Sequence, residues 1–116
     1  MQKIIAVDFD GVIHKYSRGW QDGSIYDKPI ENAKEVLEKL MKGGFEVVIF
    51  TTRVSPNRHK DFRRQEANIK KWLAKYGFIY GKHWHQITAE KVEAIAYIDD
   101  RAIRFTNWQD IKKYFI

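Results

Sequence analysis

Apolar residues along this chain fall into two rhythms. Ile4-Ile5-Ala6-Val7, Phe45 to Phe50 and Ala94 to Ile98 are short, nearly continuous runs without alternation. Such runs predict strands buried on both faces, as in a parallel sheet. Elsewhere the spacing is helical. Ile30, Ala33, Leu37, Leu40 and Met41 predict a helix that Pro29 opens and Gly43-Gly44 ends. A second helix is predicted over roughly Asn57 to Tyr76, with Phe62, Ile69, Trp72, Leu73 and Tyr76 inward. A last one, about Asn107 to Phe115, would carry Trp108, Ile111 and Phe115 inward. Residues 12–28, rich in Gly, Ser, Asp, Tyr and Trp, read as an irregular flap or short hairpin. Phe78 to Ile87 is ambiguous, with short strands near Phe78-Ile79-Tyr80 and near His85-Gln86-Ile87. Strands alternating with helices predict an α/β fold whose mainly parallel sheet is covered on both faces.

Composition narrows this picture. At 116 residues the chain is expected to form one domain over 1–116. Hydrophobic residues make up 44% and aromatic residues 15%, so an ordered core is expected. No run approaches the ~20 apolar residues needed to span a bilayer, and Met1-Gln2-Lys3 offers no signal-peptide pattern. There is no cysteine, which excludes disulfides and thiolate metal sites. A cytoplasmic protein with no membrane partner is the expectation. The formal net charge of +6 favours anionic partners, phosphorylated molecules and nucleic acid among them.

The chemistry concentrates at strand ends. Asp8-Phe9-Asp10-Gly11 follows the first apolar run, and alternation points Asp8 and Asp10 the same way if the backbone stays extended. Two carboxylates that close repel unless a cation lies between them. Mg²⁺, a hard ion with oxygen ligands, is the natural partner. Gly11 allows a sharp turn where a side chain would obstruct a ligand. The second strand ends in Thr51-Thr52 and the third in Asp99-Asp100. Ligands of open parallel sheets bind outside the carboxyl ends of the strands, so these clusters are expected to share one crevice.

In this order the motifs resemble those of the haloacid dehalogenase-like phosphohydrolases. An apolar strand followed by Asp-x-Asp-Gly is matched by Ile4 to Gly11, and one ending in Thr or Ser by Val47 to Thr51. A lone lysine is matched by Lys91, and a strand ending in acidic residues by Ala96 to Asp100. The likeness covers nearly the whole chain. It implies a Rossmann-like three-layer sandwich and phosphate-monoester hydrolysis through an aspartyl-phosphate on Asp8. Asp10 would be general acid and base. That second Asp is missing from the family's dehalogenases and replaced in its transport ATPases.

The resemblance further implies Mg²⁺ held by Asp8, the backbone carbonyl of Asp10, and one or both of Asp99 and Asp100. Lys91 would add positive charge. The Thr51 hydroxyl, with backbone N–H groups near Gly11 and Thr52, would hold phosphoryl oxygens. Val92 follows Lys91 where the family often has Pro, so Lys82 is a rival for the lysine. There is no separate cap domain; 12–28 can supply only a small flap. An open crevice suits a bulky phosphorylated substrate, a protein or a nucleic-acid end, while a small molecule stays open as well. Asp99-Asp100-Arg101-Ala102 also resembles the phosphatase domain of polynucleotide kinases, which adds a nucleic-acid 3′-phosphate as an alternative. A reading of another class is a catalytically silent module that binds nucleic acid or protein.

Other features have blander readings beside functional ones. His83-Trp84-His85 places two His on one strand face, but without a third ligand they read as half-buried residues. Arg58, Lys60, Arg63 and Arg64 are a solvated face or an anion-recognition patch. Tyr16, Trp20 and Tyr26 either stack on a ring of the substrate or pack the flap down.

Overall fold

A computed structural model describes residues 3–116. The lead formed by Met1 and Gln2 lies outside them. The elements in order are β1 (Lys3–Asp8), α1 (Ala33–Lys42), β2 (Phe45–Phe50), a 3₁₀ turn (Thr52–Val54), α2 (Phe62–Lys75), β3 (Gln86–Thr88), β4 (Ala96–Ile98) and α3 (Trp108–Phe115). The fold is α/β and Rossmann-like. Its four strands are all parallel in the order β3-β2-β1-β4.

That order fixes where a ligand can sit. The chain steps from β1 to β2 to β3 in one direction, then returns to place β4 on the other side of β1. The reversal opens a crevice at the carboxyl ends of β1 and β4. Register brings those ends level: Val7 lies opposite Ile98, and Asp8 opposite Phe50.

Burial explains why the apolar runs are strands. Ile5 and Val7 of β1 and Val47 and Ile49 of β2 join one core with Leu37 of α1 and Ile69, Trp72 and Leu73 of α2. Ala6 and Val48, which alternation places on the opposite face, are also fully buried. Near them Phe50 and Tyr97 meet edge to face. Gly43 and Gly44 end α1 as expected, with the Gly43 N–H returning to the Lys39 and Leu40 carbonyls.

Several boundaries differ from the sequence expectation, each for a physical reason. Pro29 does not open α1. It bridges His14 in antiparallel fashion, and the Ile30 N–H donates to the Ile13 carbonyl. The helix starts at Ala33, after Asn32 in a left-handed conformation at φ 71°. The second helix begins at Phe62 rather than Asn57. Residues 57–61 hold no apolar side chain to bury, and the Ser55 carbonyl instead accepts turn bonds from the Arg58 and His59 N–H groups. Phe78-Ile79-Tyr80 forms no strand; Tyr80 bridges only Trp84.

The largest correction concerns α3. Trp108 and Phe115, expected inward, are 74% and 75% exposed. Asn107 caps this helix by accepting the Asp110 N–H, so local capping forms it without a buried face. Among the described residues no helix is long and apolar enough to cross a membrane.

The flap is a folded loop. The Tyr26 hydroxyl donates to the Gly19 carbonyl and accepts the Arg18 N–H. The Trp72 indole N–H of α2 donates to the Asp27 carbonyl at 2.9 Å, fastening the far end of the flap to the core.

Candidate metal and phosphate site

Asp8 is the last residue of β1, and its Oδ1 accepts the Phe9 N–H at 2.8 Å. Phe9 turns fully into the core. Its carbonyl accepts the N–H groups of Ile13 and His14, which closes a tight loop directly over the strand end. Gly11 sits in that loop at φ +87°. The positive φ favours glycine, and a Cβ there would stand 2.2 Å from Asp100 Oδ2, so a larger residue would have to displace the Asp100 carboxylate.

This contact brings the end of β4 against the end of β1. Carboxylate oxygens of Asp8, Asp99 and Asp100 all lie within 4.8 Å of one another. Burial, then the charge of Asp99, push the Asp8 carboxyl up to about 7; Asp100 and Asp10 add to this, while the Phe9 N–H works against it. Three oxygen donors with too little positive charge among them fit a hard divalent cation. Such a cation would be held by Asp8, Asp99 and Asp100, both members of the C-terminal pair included.

The Asp10 carboxylate is not part of that triad. β1 ends at Asp8, and although Asp8 and Asp10 both line one crevice, the Asp10 carboxylate has other partners. Asp10 Oδ2 accepts Arg53 Nε at 2.7 Å, and Oδ1 accepts Arg53 Nη2 at 3.1 Å. Oδ1 also lies 2.8 Å from His14 Nδ1. Burial raises the Asp10 carboxyl, but the hydrogen bonds from His14 and Arg53 and the Arg53 charge outweigh it and hold the group below the usual carboxylate range.

A crevice of about 250 Å³ joins these groups. Asp8, Asp10, Asp99 and Asp100 line it together with Tyr16, Phe50, Thr51, Thr52 and Arg101. Thr51 is buried, and its Oγ1 accepts the Arg53 N–H at 3.2 Å as the cap of the 3₁₀ turn. The hydroxyl proton remains available to a ligand. Tyr16 lines the crevice at φ 56°, a conformation a bulky residue rarely adopts.

The lysines are placed differently. Lys91 Nζ lies over the Tyr97 ring, 5.9 Å from its centroid, and the side chain does not line the crevice. Lys82 pairs with Glu38 of α1 at 3.1 Å, away from the carboxylates. Arg101 is the cation lining the crevice. The two histidines around Trp84 do not pair: His83 is buried and its Nδ1 accepts the Ile79 N–H, whereas His85 pairs with Glu46. Sequence reasoning assigned no role to His14, Arg53 or Arg101. Arg53 carried one usable signal, its position directly after Thr51-Thr52.

Comparison of the chain with protein-family models, characterised proteins and solved structures gave no match. The site is therefore interpreted from its own chemistry.

Gly11→Ala tests the closeness of the two strand ends. The left-handed backbone alone is expected to cost roughly 1–2 kcal/mol. Displacing Asp100 is expected to weaken Mg²⁺ or Mn²⁺ binding roughly tenfold or more. Chemical denaturation and calorimetric titration measure the two effects separately.

Proposed function

We propose that this protein is a Mg²⁺-dependent phosphomonoester hydrolase of the haloacid dehalogenase-like type, with Asp8 as nucleophile. One observation carries the reading: an Asp triad and a buried threonine hydroxyl open into the same crevice, with a separately held carboxylate, Asp10, beside them. A cation in the triad would neutralise the carboxylates and polarise a phosphoryl oxygen.

The residues then divide the work. An Asp8 oxygen forms the bond to phosphorus as the bond to the leaving oxygen breaks, leaving the phosphoryl group on Asp8. The Thr51 hydroxyl donates to a phosphoryl oxygen. In the second half, water attacks phosphorus as the Asp8–phosphorus bond breaks, which frees inorganic phosphate and the Asp8 carboxylate, and Asp10 takes the water's proton, a task suited to the unprotonated form its donors favour. That proton is the one Asp10 gives to the next leaving oxygen, so the cycle balances. Arg101, which lines the crevice, supplies positive charge toward the phosphoryl group, with Lys91 as the second candidate for that charge. The substrate class is a phosphate monoester, on a small molecule or on the end of a macromolecule.

Turnover of 4-nitrophenyl phosphate is the first measurement. Activity is expected with Mg²⁺, to vanish in EDTA, and to return with excess Mg²⁺. Failure to hydrolyse this ester and a panel of phosphorylated metabolites and oligonucleotides with Mg²⁺ present would reject the reading.

A further inference from the structure

His14 is fully buried four residues after Asp10, directly after the core residue Ile13. Its ring stacks on Phe9 and meets the edges of Trp72 and Tyr26. Both ring nitrogens have partners. Nε2 lies 3.1 Å from the Asp27 N–H, which can only donate. Nε2 is therefore the acceptor and carries no proton. A neutral imidazole has one N–H, which must then sit on Nδ1 and donate to Asp10 Oδ1 at 2.8 Å. A doubly protonated ring would set two donors against each other at Nε2.

Arg53 completes the arrangement from the opposite side. It is 2% exposed, and its guanidinium forks onto both oxygens of Asp10. Its remaining nitrogen, Nη1, donates to the Gly23 carbonyl in the flap and to Gln65 Oε1 on α2. Each partner of Asp10 is thus itself oriented by a backbone group of the flap, Asp27 for His14 and Gly23 for Arg53. A side chain locked by such supporting bonds holds the group it contacts within tenths of an ångström of one position.

We propose that His14 and Arg53 are a positioning pair that aims the Asp10 carboxylate into the crevice, with His14 held as its Nδ1–H tautomer by the Asp27 amide. This rests on the phosphohydrolase reading, in which Asp10 transfers the proton. Neither residue touches substrate. Their effect is on the proton step, because a carboxylate released from its three donors can rotate away from the leaving oxygen.

The test compares esters that differ in their need for an acid. Hydrolysis of an alkyl phosphate such as glycerol 2-phosphate requires protonation of the leaving oxygen, whereas 2,4-dinitrophenolate leaves without it. His14→Phe keeps a buried ring but removes both polar nitrogens. It is expected to lower kcat/KM on the alkyl ester roughly 100-fold, with a far smaller loss of kcat/KM on the dinitrophenyl ester, because kcat/KM reports only the half-reaction that expels the leaving oxygen. His14→Asn retains a donor near the Nδ1 position and is expected to recover most of the loss. Arg53→Met is expected to show the same ester dependence, provided circular dichroism shows it folded.

In parallel, ¹⁵N NMR of the wild-type protein identifies which nitrogen of His14 bears the proton. Equal losses of kcat/KM on both esters would reduce the pair to a structural role and overturn the proposal. A proton on Nε2 would overturn the tautomer assignment regardless of activity. Wild-type protein inactive on every ester would remove the phosphohydrolase reading, and the positioning role with it. The NMR result would still decide whether His14 donates to Asp10.

Discussion

Asp8→Asn is expected to abolish turnover while making the metal-free protein more stable at alkaline pH. The loss of activity should be at least about 1,000-fold, since an amide cannot form the phosphoenzyme. The gain in stability follows from the crowding of carboxylates around Asp8. Its pKa in the folded protein is raised from the ordinary carboxylate range to about 7. The folded state therefore binds this proton more tightly than the unfolded state does. Its stabilising contribution is complete below the unfolded pKa and is lost as pH rises through about 7.

Asparagine is neutral throughout, so the variant escapes that loss. Asp8 is partly exposed, and screening leaves only a fraction of the full linkage. A rise in Tm of a few degrees at pH 8 is expected, at roughly 4 °C per kcal/mol for a domain of this size. The difference should shrink toward pH 5, where wild-type Asp8 is itself protonated. An inactive variant that is also less stable at pH 8 would show that the carboxylates do not repel as the geometry requires.

The second large effect is the dependence of metal stabilisation on pH. Mg²⁺ at about 100 times its dissociation constant should stabilise the folded state by roughly 2.7 kcal/mol, or about 10 °C in Tm. As pH falls through about 7 protons compete for Asp8, so the shift should fall steeply from pH 8 to pH 5.5. Asp99→Asn and Asp100→Asn should each reduce it, because oxygens of both lie within 4.8 Å of the other carboxylates in the triad. A Tm shift that is flat across this range, or intact in both variants, would place the cation elsewhere on the molecule. Scanning fluorimetry with and without Mg²⁺ is sufficient.

These expectations join strand ends that are far apart in the chain, and much of that geometry was legible beforehand. A continuous apolar run ending in a polar residue describes both a buried strand and its exit into solvent. For that reason Asp8, Thr51, Asp99 and Asp100 could be assigned to one edge of a parallel sheet without coordinates. Gly11 was legible as a point of close approach, although not that Asp100 would be its neighbour. The partners of the Asp10 side chain were not, because Arg53 lies far from it in the chain and pairs with it only once the elements have packed.

The sequence alone determined the α/β class, the positions of β1 and β2, the close of α1 and the set of oxygen-bearing strand ends. Those features depend on patterns a few residues long, where backbone geometry and side-chain polarity act together. Tertiary structure decided the rest: that Asp10 turns to Arg53, 43 residues away, that His14 becomes a buried donor, that Lys91 rests on Tyr97, and that Trp108 and Phe115 of α3 stay exposed. Such outcomes depend on which distant groups can satisfy a charge or cover a surface. That competition is settled only when all the elements have packed.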